Sequence, residues 1–129
     1  VNQKKFHIKE FEVFGGNRES FVIQKKIQRF SDSSSENKIK IIIDLKKNKI
    51  IKEKNIQNKV IKYNLSLSAE VKIIELNTNK EIKRVFNANQ NYNVEESYSS
   101  TVNNSKVANS LLIDAIVNEV LDQLRIYYN

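Results

Sequence analysis

The chain has 129 residues, a formal net charge of +7, and no Cys, Met, Pro or Trp. A chain of that length is a prior for one domain, spanning 1–129, and can bury roughly two-thirds of the surface its unfolded form exposes, so a core forms without disulfide or metal staples. With no Cys, one His and four Asp, cysteine nucleophiles, thiolate metal sites and His-rich metal sites are excluded. No apolar run approaches the roughly 20 residues of a membrane-spanning helix.

Phe6, Ile8, Phe11 and Val13 predict a first strand whose alternation slips between Ile8 and Phe11, the mark of a bulge. Gly15-Gly16 ends it, and Asn17 is the expected N-cap of a helix over 18–30, with Glu19 in the favourable first turn. Val22, Ile23, Ile27 and Phe30 form its apolar stripe, and residues 31–37 contain nothing apolar and read as a loop. A second strand follows, with Ile39, Ile41, Ile43 and Leu45 on one side and Lys38, Lys40, Asp44 and Lys46 on the other. Lys47-Asn48-Lys49 reads as a bulge before Ile50 and Ile51 resume the strand, and Lys54-Asn55 as a turn.

The third strand carries the cleanest pattern. Ile61, Tyr63, Leu65, Leu67, Ala69, Val71 and Ile73 alternate with Lys62, Asn64, Ser66, Ser68, Glu70 and Lys72, which places one face on a core and the other in water. A turn at 77–79 leads into a fourth strand over 82–92, with Ile82, Phe86, Ala88 and Tyr92 in phase and Arg84 and Gln90 out of character. A final helix, capped by Ser99 or Ser100, runs to about Tyr127. Its apolar stripe is Ile113, Ile116, Val117, Val120, Leu124 and Tyr127, widened by Ala108, Leu111, Leu112 and Ala115, while Ser110, Asp114, Asn118 and Arg125 face solvent. The order β-α-β-β-β-α predicts an α+β two-layer sandwich. Its four-stranded mixed sheet has the first strand parallel to its neighbour and both helices on one face.

The charge is concentrated. Residues 38–62 hold nine Lys against Asp44 and Glu53, so one-fifth of the chain carries the whole excess. Such a stripe attracts polyanions such as nucleic acid, anionic lipid head groups or lipopolysaccharide phosphates. The same lysines also defend an edge strand against aggregation, and the abundance of Lys, Asn and Ile is what an A/T-rich genome supplies.

Catalytic chemistry is hard to find. His7 alternates with Phe6 and Ile8 and falls on the solvated side of the first strand. Glu95 and Glu96 are adjacent, and adjacent carboxylates seldom converge on one cation. Gly15-Gly16 lacks the further Gly, Lys and Ser/Thr of a phosphate loop, and no Ser has a base partner. Neither an enzyme, a metal nor a cofactor is expected.

One resemblance covers most of the chain. Tyr63-Asn64-Leu65 opening a long alternating strand, the turn after Leu76, and Tyr92-Asn93 followed by Ser97-Tyr98-Ser99 resemble the lipopolysaccharide-assembly lipoprotein family LptE in its alphaproteobacterial form. Ala108, Leu112, Ala115 and Tyr127-Tyr128 fall where that family has small and closing residues, and Val120, Gln123 and Leu124 stand in its "I-x-x-R-L" signature with Gln in place of Arg. Arg18 and the Gly turn before it match more loosely. The resemblance implies the fold reached above and an outer-membrane lipoprotein facing the periplasm, anchored by a lipidated Cys. That Cys is absent here and is expected upstream of Val1, since a chain that starts with Val and lacks Met reads as trimmed. It further implies a plug inside an LptD-like outer-membrane β-barrel and binding of lipopolysaccharide without covalent chemistry. The family's basic position before the last helix is missing, as residues 87–105 contain no Lys or Arg. The turn between strands two and three, also basic in the family, is rich in lysine. Lys47, Lys49, Lys52, Lys54 and Lys59 are therefore the expected lipopolysaccharide contacts.

Two other functions compete. One is a ligand-free periplasmic scaffold or chaperone. The other is a nucleic-acid-binding sheet, less expected because the solvated face of the third strand has no aromatic on which a base could stack.

Overall fold

The computed structural model describes residues 5–128, apart from the side chain of Asn17. Its elements are β1 (His7–Phe14), α1 (Asn17–Gln28), β2 (Lys38–Lys54), β3 (Val60–Glu75), β4 (Lys80–Asn93) and α2 (Tyr98–Tyr127). They form one sheet in the order β1-β2-β3-β4. β1 runs parallel to β2 through the α1 crossover, and the other pairs are antiparallel. The predicted order, sheet and two-helix layer are all present.

Period-two patterning decides which side is roofed. Ile41 lies opposite Ile73, Ile43 opposite Val71 and Leu45 opposite Ala69, all essentially buried. Ile23 and Ile27 of α1 and Leu112, Ile116, Val120 and Leu124 of α2 close the same face. α1 rests against β1, α2 against β3 and β4, and the two helices touch. Each fully buried aliphatic side chain contributes about 1.5–3 kcal/mol relative to exposure, so this layer dominates stability. No helix among the described residues is long and apolar enough to cross a membrane.

Several local expectations are corrected. The bulge in β1 is present between Ile8 and Glu10, but β2 does not bulge at 47–49. Unbroken alternation in β3 holds Lys47 opposite Leu67 and Lys49 opposite Leu65, and the irregularity falls later, between Ile51 and Lys54. Gly16, in the left-handed region, takes the cap position of α1 in place of Asn17, and Ser20 N–H donates to its carbonyl. That helix stops at Gln28, which leaves Phe30 half-exposed. Ser97, rather than Ser99 or Ser100, caps α2, its side chain accepting from the Ser100 N–H. Leu111 is outside the core, while Leu121 is inside it. His7 is half-buried, because the 31–37 loop folds over the start of β1. There, His7 N–H donates to Asn37 O, Ile8 N–H to Ser31 Oγ and Asp32 N–H to Phe6 O.

Candidate functional site: the β2–β3 hairpin

β1 stops opposite Asp44, and β4 stops opposite Lys62. Beyond those points β2 is an edge strand, and residues past Ile61 form a two-stranded finger that neither neighbour flanks. All of Lys46–Lys54 is exposed. A two-stranded hairpin is marginal without support, so the turn chemistry matters. Asn55 supplies it. Its side-chain oxygen accepts from Gln57 N–H (2.9 Å) and Lys59 N–H (3.0 Å). Its backbone N–H donates to Lys59 O, and Asn58 takes a φ of 65°, which Asn tolerates better than most residues. The turn predicted at Lys54-Asn55 is therefore in place.

The five candidate lysines divide into two groups. Lys47 and Lys49 are in phase with Leu45, so they point to the helix side. Lys47 Nζ lies 2.7 Å from Glu19 Oε1 on α1. Lys49 Nζ lies 4.2 Å from the centroid of the Tyr63 ring and 5.9 Å from that of Tyr92. Both tie the finger's base to the body. Lys52, Lys54 and Lys59 have no carboxylate partner among the described residues. Glu53, the one acid on the finger, pairs with Lys62 at 3.5 Å. Five lysines, Lys46, Lys47, Lys49, Lys52 and Lys54, also line the part of β2 that β1 leaves unpaired, so edge protection accounts for part of the charge.

Sequence reasoning missed an apolar partner for these lysines. Ile56, at the tip, is fully exposed, and Ile50 and Ile51 are half-exposed on opposite sides of the same strand. An isoleucine inside a run of Asn and Gln at a predicted turn was the available signal. The tip thus joins cationic and apolar chemistry within a few residues. Elsewhere the helix-free face of the sheet is charge-paired, Lys40 with Glu10 and Glu12 and Lys72 with Glu81. No aromatic from β2, β3 or β4 stands on that face. Among the described residues no three His, Cys, Asp or Glu side chains converge as a metal site. Glu95 instead ties its loop to α2, its N–H donating to Thr101 Oγ1 and its carboxylate accepting from Asn104.

The Glu19–Lys47 pair has a testable pH signature. Burial pushes the Glu19 carboxyl up, but the Lys47 hydrogen bond, a backbone hydrogen bond, the Lys47 charge and the Asn109 amide together hold it below its ordinary value of 4.5. A lowered folded-state value means the stabilisation is present above the unfolded value and is lost as pH falls through the folded one. Glu19→Gln is expected to cost about 1–3 kcal/mol at neutral pH. In urea titrations the cost should hold from pH 7 down to near the ordinary value of 4.5 and shrink below it, as the wild-type carboxyl takes up its proton. A cost independent of pH would show that the pair contributes packing alone.

No family model matches the chain, and no curated protein matches it. Solved structures do share this fold of four strands under two helices. An uncharacterized lipoprotein B from Nitrosomonas europaea superposes with a TM-score of 0.66 at 12% identity, covering 98% of this chain and 89% of that one. Rare lipoprotein B from Shewanella oneidensis gives 0.64 at 7% identity, covering 90% and 93%. A protein from Caulobacter crescentus, assigned as a lipoprotein, gives 0.63 at 10% identity, covering 92% and 88%. At these identities the likeness establishes the common fold.

Proposed function

We propose that this chain is the periplasmic domain of an outer-membrane lipoprotein of the LptE type. In this reading it plugs an LptD-like β-barrel and binds lipopolysaccharide with the β2–β3 hairpin during assembly at the outer membrane. The carrying observation is the finger, where Lys52, Lys54 and Lys59, without carboxylate partners among the described residues, lie within four residues of a fully exposed isoleucine, Ile56. Lipid A sets phosphates beside acyl chains. Lys meets phosphate as a point charge, and an isoleucine leaving water for acyl chains gains about 1.5–3 kcal/mol when fully buried. The lipoprotein names of the three fold neighbours support a lipid anchor. The reading involves no covalent step and no cofactor.

The test is binding to lipopolysaccharide aggregates, with neutral phosphatidylcholine vesicles for comparison. The wild-type chain is expected to bind the aggregates more weakly as salt rises. Joint replacement of Lys52, Lys54 and Lys59 by Glu should weaken binding by about tenfold or more, with the circular dichroism spectrum unchanged. The chain has no Trp, so Ile56→Trp is a sole reporter whose emission should move to the blue as the tip enters the lipid. Unchanged affinity in the triple variant would favour a ligand-free scaffold. Copurification with a large β-barrel from native membranes tests the plug.

A further inference from the structure

The sheet has two outer strands, and they are defended differently. β1 is crossed at its start by the 31–37 loop and carries Lys9, Glu10 and Glu12. The half of β2 that β1 leaves open carries the lysines described above. β4 carries its charges, Lys80, Glu81, Lys83 and Arg84, only in its first five residues. From Val85 to Asn93 it contains no charged residue, and its register against β3 runs without a bulge from Lys80 to Asn93. Nine uncharged residues on an open edge are a template for another strand.

The flank of that edge is apolar in part. α2 lies over β3 and β4, and Val107 and Leu111 on its outer side are about half exposed. With Tyr92 and Ala108 they form the apolar part of a cleft of about 290 Å³ alongside the strand, whose polar part is Gln90, Glu95 and Asn104. A paired strand would therefore find backbone partners on β4 and the apolar side chains of Val107 and Leu111 on α2.

We propose that the β4 edge docks a second copy of this chain, the two β4 strands pairing antiparallel about a two-fold axis at Asn89. Charge selects this occupant. An acidic partner would seek the lysines of β2, whereas a neutral edge suits a neutral strand, and a chain of net charge +7 can approach its own copy most easily where charge is absent. The register is self-complementary. It sets Phe86 opposite Tyr92 and Ala88 opposite Gln90 on the helix side, and Asn87 opposite Asn91 on the other, with Asn89 facing its own copy. Asn91 already accepts a cross-strand amide bond from Asn64 at 2.8 Å, so the side-chain geometry that such pairs need exists in this sheet. The same axis brings the Val107 and Leu111 flanks of the two α2 helices toward each other. This inference does not depend on the lipid reading of the hairpin.

Sedimentation equilibrium of the chain up to about 1 mM tests it. A monomer–dimer equilibrium is expected, weakened by about tenfold or more in Asn89→Lys and in Leu111→Lys, both exposed positions whose replacement should leave the thermal midpoint unchanged. Because the chain has no Cys, Asn89→Cys should oxidise to a covalent dimer, the paired Cα atoms lying within disulfide reach, while Ser68→Cys in the middle strand should not. A chain that stays monomeric throughout overturns the proposal. So does a dimer that Asn89→Lys leaves intact and Asn89→Cys fails to trap, including one held by the lysine finger.

Discussion

Replacing Gly15 by Ala is expected to destabilise the protein by about 3 kcal/mol or more, whereas the same change at Gly16 should cost about 1 kcal/mol. The two glycines are adjacent and both have positive φ, 76° and 56°. They differ in what a methyl group would meet. At Gly15 it would overlap the Leu45 carbonyl oxygen, which is backbone of β2, held in register with Ala69 of β3, and cannot swing aside. Either the β1–α1 turn lifts off β2, or β2 shifts beneath it, and both disturb the Leu45 layer of the core. At Gly16 the nearest atom is Leu45 Cδ1 at 3.2 Å, the end of a side chain that gives by a few tenths of an ångström. Set against the 5–15 kcal/mol by which domains of this kind are stable, the first loss is large and the second is tolerable. Urea midpoints of the two variants, read with the slope held constant, separate them. Equal losses would show that only the left-handed backbone matters at this turn.

Gly15-Gly16 also illustrates what the sequence made legible. The pair was readable as a strand-to-helix turn, and the alternation of β2 and β3 gave the sheet, because a single residue's slip there would move seven apolar side chains into water. Caps were less legible. Ser97, Ser99 and Ser100 are chemically equivalent donors and acceptors, and only the path of the chain after Val94 chooses Ser97. The break in β2 was misplaced for a related reason. Two lysines at core-side positions look like a lost register, but a carboxylate on α1 and a tyrosine face on β3 accommodate Lys47 and Lys49 without one.

The candidate site divides along the same line. Charge density alone located the hairpin, since nine lysines in 25 residues are visible in any reading. Which lysines are free was not visible, because that depends on two contacts made across the fold, from α1 and from β3. Ile56 is silent in the hydrophobic pattern, because a lone apolar residue at a tip has no period.

Ile41→Ala and Ile56→Ala make the final comparison, because both residues belong to the same hairpin and lose the same atoms. Ile41 is fully buried, with Phe11 of β1 and Ile73 of β3 beside it, so its truncation leaves a cavity and is expected to cost about 3–4 kcal/mol. Ile56 is fully exposed, and its truncation should leave stability within about 0.5 kcal/mol. Binding should divide the other way. Measured well below the unfolding transition, Ile41→Ala should keep the wild-type affinity for lipopolysaccharide aggregates, and Ile56→Ala should lose about half or more of it at high salt, where the lysine contribution is screened. Urea denaturation and aggregate binding on the two variants give the four values. An Ile56→Ala chain with wild-type binding at high salt would assign the finger's work to charge alone, and the isoleucine at its tip would then lack a function in either folding or binding.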